Sequence, residues 1–240
     1  RIALVRASAL AVPSRRLEGI ALSARAQPRD KVVRIANGIP TDAYAHTPPG
    51  DAIPGLAKRP GDLWLGTLAG LRAVKNLPRL GRAFSAMPVQ WPLGILGEGP
   101  EREAIRAEGE RLGLGARIHL PGFAPDPARA VGLVDLFALS SDSEQFPISV
   151  VEAMAAGLAI AAPAVGDVAA MVAEENRPFI GDPADETALG KALAALAADP
   201  ALRGAVGEAN RALARAEYDE ATMVSAYRAV YGGAIGRALP

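Results

Sequence analysis

Residues 135–156 read DLFALSSDSEQFPISVVEAMAA, and the interpretation of the whole chain starts from this stretch. The apolar run 136–139 is followed by the polar residues 140–144 and then by a segment with proline near its start, which predicts a strand, a turn and a helix. Such a unit places free backbone N–H groups and the positive end of a helix dipole at the carboxyl edge of a sheet. Open α/β sheets bind their ligands at that edge.

Glu152 stands in the middle of this predicted helix, which is apolar on nearly all its faces. A buried carboxylate is costly unless hydrogen-bond donors reach it, and the hydroxyls of a sugar or a ribose could supply them. Alternatively, Glu152 occupies a narrow solvent-facing stripe or pairs with a lysine or arginine elsewhere. A second carboxylate, Glu144, lies at the mouth of the helix and favours the functional interpretation.

The rest of the chain alternates short apolar runs with longer segments of helical periodicity. This alternation predicts an α/β fold, with a Rossmann-like parallel sheet flanked by helices. In one predicted helix, 76–87, Arg79 and Arg82 are expected to face solvent. The segment 47–60 is rich in Pro and Gly and is expected to be a loop. Strands are predicted at 32–36, 63–68, 93–96, 118–120, 136–139, 159–162 and 178–180, and helices at 76–87, 100–112, 147–156, 186–198, 202–216 and 221–230.

Composition restricts the chemistry that the chain can perform. Its 26 Lys and Arg residues balance 26 Asp and Glu residues, so no nucleic-acid partner is expected. Cysteine is absent and there are two histidines, so neither a thiolate nor a metal site is expected. His119, Trp64 and Trp91 are interpreted as structural residues. No apolar run approaches the roughly 20 residues that span a bilayer, and a cytoplasmic location is expected.

A second group of polar residues lies in 66–76, GTLAGLRAVKN, where a predicted strand leads through glycines into a helix. Two cations, Arg72 and Lys75, lie in this loop and could neutralise a pyrophosphate. Cations are also common at solvated surface turns, so the loop alone is weak support for a site. The presence of a second polar group, Glu144 and Glu152, strengthens the interpretation of this loop as part of a ligand-binding site.

Five segments in this order resemble motifs of one large family: 35–40 (IANGIP), 71–76 (LRAVKN), 96–101 (LGEGPE), 119–123 (HLPGF) and 144–154 (EQFPISVVEAM). The last is similar to the family's E-x7-E motif. From about residue 32 to residue 231, the chain resembles the C-terminal, donor-binding half of the retaining nucleotide-sugar glycosyltransferases of the GT-B fold, family 4. The resemblance implies transfer of a sugar from a nucleoside diphosphate to an acceptor hydroxyl, with retention of the anomeric configuration and without a metal or other cofactor.

The resemblance also assigns roles to residues. Glu144 would contact the donor sugar or the adjacent phosphate, and Glu152 would hold the ribose hydroxyls. Arg72 and Lys75 would stabilise the departing nucleoside diphosphate. The catalytic residues implied are therefore Arg72, Lys75 and Glu144, and the donor-binding residues are Gly122, Phe123, Phe146, Pro147, Ile148, Ser149 and Glu152.

Two positions depart from the family pattern. Gln145 stands where the family has glycine directly after the first glutamate, at the place where the donor sugar would lie. Arg72 precedes Lys75 by three residues, whereas the family's arginine precedes its lysine by five or six.

The resemblance further implies a domain organisation. Residues 1–31 would be a remnant of an N-terminal acceptor domain, 32–217 the donor-binding domain, and 218–240 a C-terminal helix that returns to the N-terminal domain. Tyr227, Val230 and Tyr231, in 221–232, are then expected to be left exposed. The chain is interpreted as a truncated protein with little or no transfer activity by itself, an unassigned acceptor, and membrane contact at most through the missing half. The alternatives are a sugar-nucleotide epimerase of the same architecture and a non-catalytic nucleotide-binding fragment.

Overall fold

A computed structural model describes residues 6–53 and 56–237 of the protein. The chain begins with a small unit in which strand β1 (Leu10–Val12) is followed by helix α1 (Arg15–Leu22) and strand β2 (Val32–Arg34). β1 and β2 pair in parallel and form a separate two-stranded sheet. The strand predicted at 32–36 is thus present as β2, but it belongs to this small sheet. β1 was not predicted from the sequence.

The main body is a six-stranded parallel sheet. Its strands are β3 (Leu65–Leu68), β4 (Leu93–Leu96), β5 (Ile118–Gly122), β6 (Leu136–Ala138), β7 (Ile160–Pro163) and β8 (Ile180–Gly181). They lie in the order β5-β4-β3-β6-β7-β8. From β3 the chain continues through β4 to β5 at one side of the sheet. It then returns to β6, next to β3, and continues through β7 to β8 at the other side, so the strand order reverses between β3 and β6.

Helices cover both faces of this sheet, because central strands such as β4 and β6 are apolar throughout and need cover on each side. α4, α5 and α6 contribute buried side chains to one apolar cluster, and α2, α3 and α7 contribute to the other. The helices are α2 (Leu77–Phe84), α3 (Arg102–Arg111), α4 (Pro127–Val131), α5 (Ile148–Ala155), α6 (Val168–Met171), α7 (Ala188–Ala198), α8 (Pro200–Glu217) and α9 (Glu220–Ile235). The predicted α/β architecture is therefore confirmed.

Most residues assigned to structural roles lie where they were expected. Trp64 and Trp91 are buried in the core, and His119 lies on β5 with its ring 5.1 Å from that of Trp64. Arg82 is exposed, but the expectation that Arg79 faces solvent is wrong. The Arg79 side chain is 13% exposed and pairs with acidic residues of the neighbouring loops.

The last helix, α9, has no buried residue. Tyr231 is exposed as expected, whereas Tyr227 and Val230 are half-buried, so none of the three is fully buried but only Tyr231 is exposed. The rings of Tyr227 and Tyr231 stack along the helix with centroids 6.3 Å apart. Over the described ranges, no helix is both long enough and apolar enough to cross a bilayer.

Asp167 connects the small N-terminal unit to the main body. Its carboxylate accepts hydrogen bonds from the backbone N–H groups of Arg15 (2.5 Å) and Arg16 (3.0 Å), in the first turn of α1. A carboxylate at a helix N-terminus satisfies amides that have no intrahelical partner and interacts favourably with the helix dipole. α1 is thereby fixed against the loop that follows β7.

Candidate functional site at the carboxyl edge of the sheet

Lys75 and Glu144 form an ion pair at the point where strand order reverses. Lys75 ends a 3-10 turn, Ala73–Lys75, in the loop after β3, and Glu144 lies in the loop after β6. Nζ of Lys75 lies 2.5 Å from Oε1 of Glu144, with the side chains 23% and 11% exposed. In open parallel sheets, the crevice at such a reversal is where ligands bind. The structure therefore brings two of the predicted residues together at the expected edge.

Further hydrogen bonds hold the two loops in place. The hydroxyl of Ser141 donates to Oε1 of Glu144 at 2.7 Å, so this oxygen accepts from both a hydroxyl and an ammonium. The hydroxyl of Ser140 donates to the backbone carbonyl of Lys75 at 2.8 Å. Glu144 thus has two side-chain partners, and Lys75 has partners on both its side chain and its main chain, which fixes the geometry of the pair.

Two glycines let neighbouring loops approach closely at this edge. Gly166, after β7, has φ of 58°, and a Cβ there would lie 2.3 Å from the carbonyl oxygen of Glu144. Gly97, after β4, has φ of 149°, and a Cβ there would lie 1.9 Å from the carbonyl oxygen of Ala69. Both the left-handed conformation and the lack of space require glycine. The loop after β7 is consequently packed against the main chain of Glu144.

Helix α5 begins directly beyond this ion pair. Pro147 is the residue before the helix, and no side chain of the described residues caps its first amides. Pro147 is buried, while Phe146, Ile148 and Ser149 are partly exposed. The N–H of Val150 donates to the carbonyl of Pro147 at 3.1 Å, whereas those of Ile148 and Ser149 have no partner among the described residues. These two N–H groups are available to an anion, and the helix dipole favours negative charge there.

Glu152 lies one turn further along α5 and is 8% exposed. The Tyr44 hydroxyl donates a hydrogen bond to its Oε1 at 3.1 Å. Burial raises the pKa of the Glu152 carboxyl, and the hydrogen bond from Tyr44 opposes that shift. The interpretation of Glu152 as a residue on a solvent-facing stripe is wrong, and no lysine or arginine in the described part of the chain pairs with it.

The side chains of the remaining predicted residues take no part in the ion pair. Gly122 ends β5, and its carbonyl accepts a hydrogen bond from Gly97 N–H at 2.8 Å. Phe123 follows and is 75% exposed. Arg72 precedes the 3-10 turn with an exposed side chain, and it forms no ion pair with any described residue. The backbone N–H of Lys75 donates to the carbonyl of Arg72 at 2.9 Å, but the Arg72 side chain forms an ion pair with no described residue.

Two residues of this region were missed from the sequence. Arg79 of α2 lies 3.0 Å from Asp142 through Nη1, and its Nε is buried without a partner among the described residues. The carboxylate of Asp142 in the polar turn was the signal that could have indicated a nearby cation. Tyr44 follows the segment 35–40, and no local pattern marks it as a partner of Glu152.

The family profile described as "Glycosyl transferases group 1" matches residues 52–213. Among curated proteins, the chain is 27% identical over 214 residues to the lipopolysaccharide core biosynthesis glycosyltransferase LpsD of Rhizobium meliloti, covering 89% of this chain and 56% of LpsD. It is 25% identical over 166 residues to N-acetyl-alpha-D-glucosaminyl L-malate synthase of Bacillus anthracis, covering 68% of this chain and 44% of that protein. The chain thus spans about half the length of these relatives.

Among solved structures, the fold is similar to that of HepE from Anabaena in complex with UDP. The TM-score is 0.84 and the identity is 22%, over 95% of this chain and 64% of HepE. Further structures of HepE contain UDP and glucose, or UDP-glucose. At this identity the similarity supports the fold.

Proposed function

The chain belongs to the glycosyl transferases group 1 family, and from that premise we propose that it is the donor-binding half of a retaining glycosyltransferase of the family 4 type. Its substrate is a nucleoside diphosphate sugar, and it transfers the sugar to an acceptor hydroxyl without a metal ion or another cofactor. The Lys75–Glu144 ion pair, located where strand order reverses and next to the uncapped start of α5, is the observation that carries this proposal.

The chemistry of sugar transfer requires stabilisation of the departing diphosphate. Negative charge develops on the oxygen that leaves the anomeric carbon, and preorganised cations and N–H groups aimed at that position lower the barrier. Lys75 supplies an ammonium, and the first amides of α5 supply N–H donors at a positive dipole end. Arg72 has an exposed side chain without an ion-pair partner among the described residues, so it is free to turn toward the diphosphate.

The other residues bind the donor in this proposal. Glu144 accepts from hydroxyls of the donor sugar, and Glu152 accepts from the ribose hydroxyls. Gly122 and Phe123 border the nucleotide base, for which the exposed ring of Phe123 offers a surface. The backbone from Phe146 through Pro147 and Ile148 to Ser149 surrounds the diphosphate.

We extend the proposal to the organisation of the chain. Residues 1–31 belong with an N-terminal acceptor domain, 32–217 bind the donor, and 218–240 pack on the acceptor domain. The lack of any buried residue in α9 supports the separate assignment of 218–240. The β1–β2 sheet joins residues on both sides of the 31/32 boundary and does not support a division there. Transfer by residues 1–240 alone is then expected to be very weak.

Calorimetric titration of the 240-residue chain with UDP, GDP, ADP and dTDP tests the proposal. We expect one of them to bind, and Glu152→Ala and Glu144→Gln to weaken binding of the matching nucleotide sugar about tenfold or more. Asp135→Asn is the matched control, because Asp135 pairs with Lys58 at 2.7 Å at the opposite edge of the sheet. Failure of all four nucleotides to bind would contradict the proposal.

Product analysis separates the possible reactions. Incubation with the bound nucleotide sugar and a panel of alcohols, followed by mass spectrometry and NMR of the anomeric centre, distinguishes glycosides with retained configuration from epimerised sugar. If epimerised sugar is the main product, the protein is an epimerase and not a transferase. Binding without any product, also after addition of a complementing N-terminal domain from a relative, would indicate a non-catalytic module.

A further inference from the structure

The hydroxyl of Tyr44 lies against a carboxylate that the proposed function uses. Tyr44 ends the 3-10 turn Thr41–Tyr44 and is 7% exposed. Its hydroxyl donates to Oε1 of Glu152 at 3.1 Å, across 108 residues of sequence. A tyrosine hydroxyl and a carboxylate, both buried, thereby satisfy each other.

The two oxygens of Glu152 differ in their surroundings. Oε1 accepts from Tyr44, whereas Oε2 has no hydrogen-bond partner within the described ranges. Oε2 is not fully enclosed by protein atoms, so it keeps contact with solvent. A carboxylate has about four acceptor sites, and the bond from Tyr44 occupies one of those on Glu152, so Oε2 has acceptor capacity left for an external donor.

Hydrogen bonds to residues outside the 3-10 turn anchor the segment that carries Tyr44. The hydroxyl of Thr41 donates to Oδ2 of Asp219 at 2.5 Å, and the backbone N–H of Glu220 donates to the carbonyl of Ile39 at 2.9 Å. These bonds tie the segment before Tyr44 to the junction of α8 and α9. The turn also packs on α4 and α5. Tyr44 thus approaches Glu152 from a segment with its own anchors, so its hydroxyl can fix the rotamer of the carboxylate.

Packing alone does not require the hydroxyl. The ring of Tyr44 belongs to the apolar cluster that includes Val131, Val150 and Met154, where phenylalanine would fill nearly the same volume. The burial of a phenol in such a cluster is costly unless its hydroxyl has a partner. Here that partner is the one carboxylate of α5.

We propose that Tyr44 is a positioning residue, whose hydroxyl holds Oε1 of Glu152 so that Oε2 is presented to the vicinal hydroxyls of the ribose of a nucleoside diphosphate. The inference rests on the proposed function, and it adds a residue of the 3-10 turn that acts through Glu152. Tyr44 itself does not touch the ligand. Its effect is therefore expected in the recognition of ribose hydroxyls and not in the recognition of phosphate.

The variant Tyr44→Phe tests this role, because it keeps the ring and removes the hydroxyl. The measured quantity is the ratio of the dissociation constants of a 2′-deoxynucleoside diphosphate and its ribose counterpart, for the UDP, GDP and ADP pairs. We expect wild type to prefer the ribose form of its nucleotide about tenfold, and Tyr44→Phe to reduce that preference to about twofold or less. A merely structural role would weaken both forms equally and leave the ratio unchanged.

Tyr218→Phe is the matched control. Tyr218 is also buried, and its hydroxyl donates to the carbonyl of Met171 at 3.2 Å, not to Glu152. This variant is expected to lose a comparable buried hydrogen bond and keep the preference of wild type. Thermal unfolding of both variants, with and without nucleotide, shows that the compared proteins are folded.

A double-mutant cycle with Glu152→Ala separates action through Glu152 from direct action. In the Glu152→Ala background, Tyr44→Phe is expected to change the ratio by less than about twofold. A full effect of Tyr44→Phe in that background, or an unchanged ratio in the single variant, would overturn the role of Tyr44 while leaving the proposed function intact. If wild type binds none of the nucleotides, the proposed function fails first and this inference fails with it.

Discussion

The ammonium of Lys75 lies 2.5 Å from the carboxylate of Glu144, although 69 residues separate the two in sequence. Because β3 and β6 are neighbours at the reversal of strand order, their following loops meet at one crevice. A charge-assisted hydrogen bond of this kind places a cation where the diphosphate of a nucleotide is proposed to lie. Glu144 holds Lys75 in position.

Replacement of Lys75 by methionine removes the ammonium and keeps most of the aliphatic chain. We expect the affinity for the nucleoside diphosphate to fall about tenfold to a hundredfold, because a partly buried charge-assisted contact is lost and Glu144 is left without its cation. Calorimetric titration measures the change.

Lys58→Met is the control for this prediction. Lys58 pairs with Asp135 at 2.7 Å, with side chains 21% and 24% exposed, at the opposite edge of the sheet. The Lys58→Met variant is expected to be less stable than wild type and to bind nucleotide with unchanged affinity. If Lys75→Met and Lys58→Met lower nucleotide affinity equally, the loss comes from a general change in the fold and not from removal of a contact in the site.

Gly166→Ala should displace the main chain at Glu144. The left-handed φ of 58° and a Cβ only 2.3 Å from the Glu144 carbonyl oxygen make any side chain strained and crowded. We expect a loss of about 2–4 kcal/mol in the free energy of unfolding, together with weaker nucleotide binding. Urea unfolding and titration give the two values.

Gly113→Ala offers a close comparison, since Gly113 has φ of 68° but nothing within 4 Å of an added Cβ. We expect a cost of about 1 kcal/mol, from the backbone conformation alone, and unchanged nucleotide affinity. Should Gly113→Ala weaken binding as much as Gly166→Ala, steric displacement of Glu144 would not be the cause.

The pH dependence of stability should report on Glu152. Burial raises the pKa of its carboxyl in the folded protein above the ordinary value of 4.5. A raised folded-state pKa contributes stability that is complete below the unfolded pKa and is lost as pH rises through the folded value. Glutamine cannot ionise and can still accept from Tyr44.

Glu152→Gln is therefore expected to raise the melting temperature relative to wild type at about pH 7, with the gain shrinking toward about pH 4. Differential scanning calorimetry across this range measures the difference. A difference in melting temperature that does not change with pH would show that the carboxyl does not titrate abnormally.

Asn176→Leu should destabilise the protein without altering the site. The Asn176 side chain is fully buried and bonds both the N–H and the carbonyl of Ile160 at 2.8 Å, and it also accepts from Asn210. Loss of the amide leaves these buried groups without partners, at a cost of about 2–4 kcal/mol. Urea unfolding measures it, and nucleotide affinity at low temperature should equal that of wild type.

The alternation of strands and helices was predictable because it depends on local periodicity. The runs predicted at 93–96, 136–139 and 159–162 correspond to β4, β6 and β7 within a residue at each end. The strand–turn–helix around Glu144 also follows from neighbouring residues, whereas the sequence left open whether Glu152 is buried, and the structure shows that it is. Short strands such as β1 were missed, since three residues carry too little periodicity to distinguish them from a loop.

By itself, the sequence thus determined the α/β class, the family resemblance and the position of a carboxylate within the largely apolar segment of α5. The tertiary structure alone decided the order of the strands, the contact of Lys75 with Glu144, the inward position of Arg79 and the approach of Tyr44 to Glu152. Each of these depends on groups that are far apart in the chain and adjacent only after packing. No local pattern encodes such distances, because they follow from how the elements pack together in the whole fold.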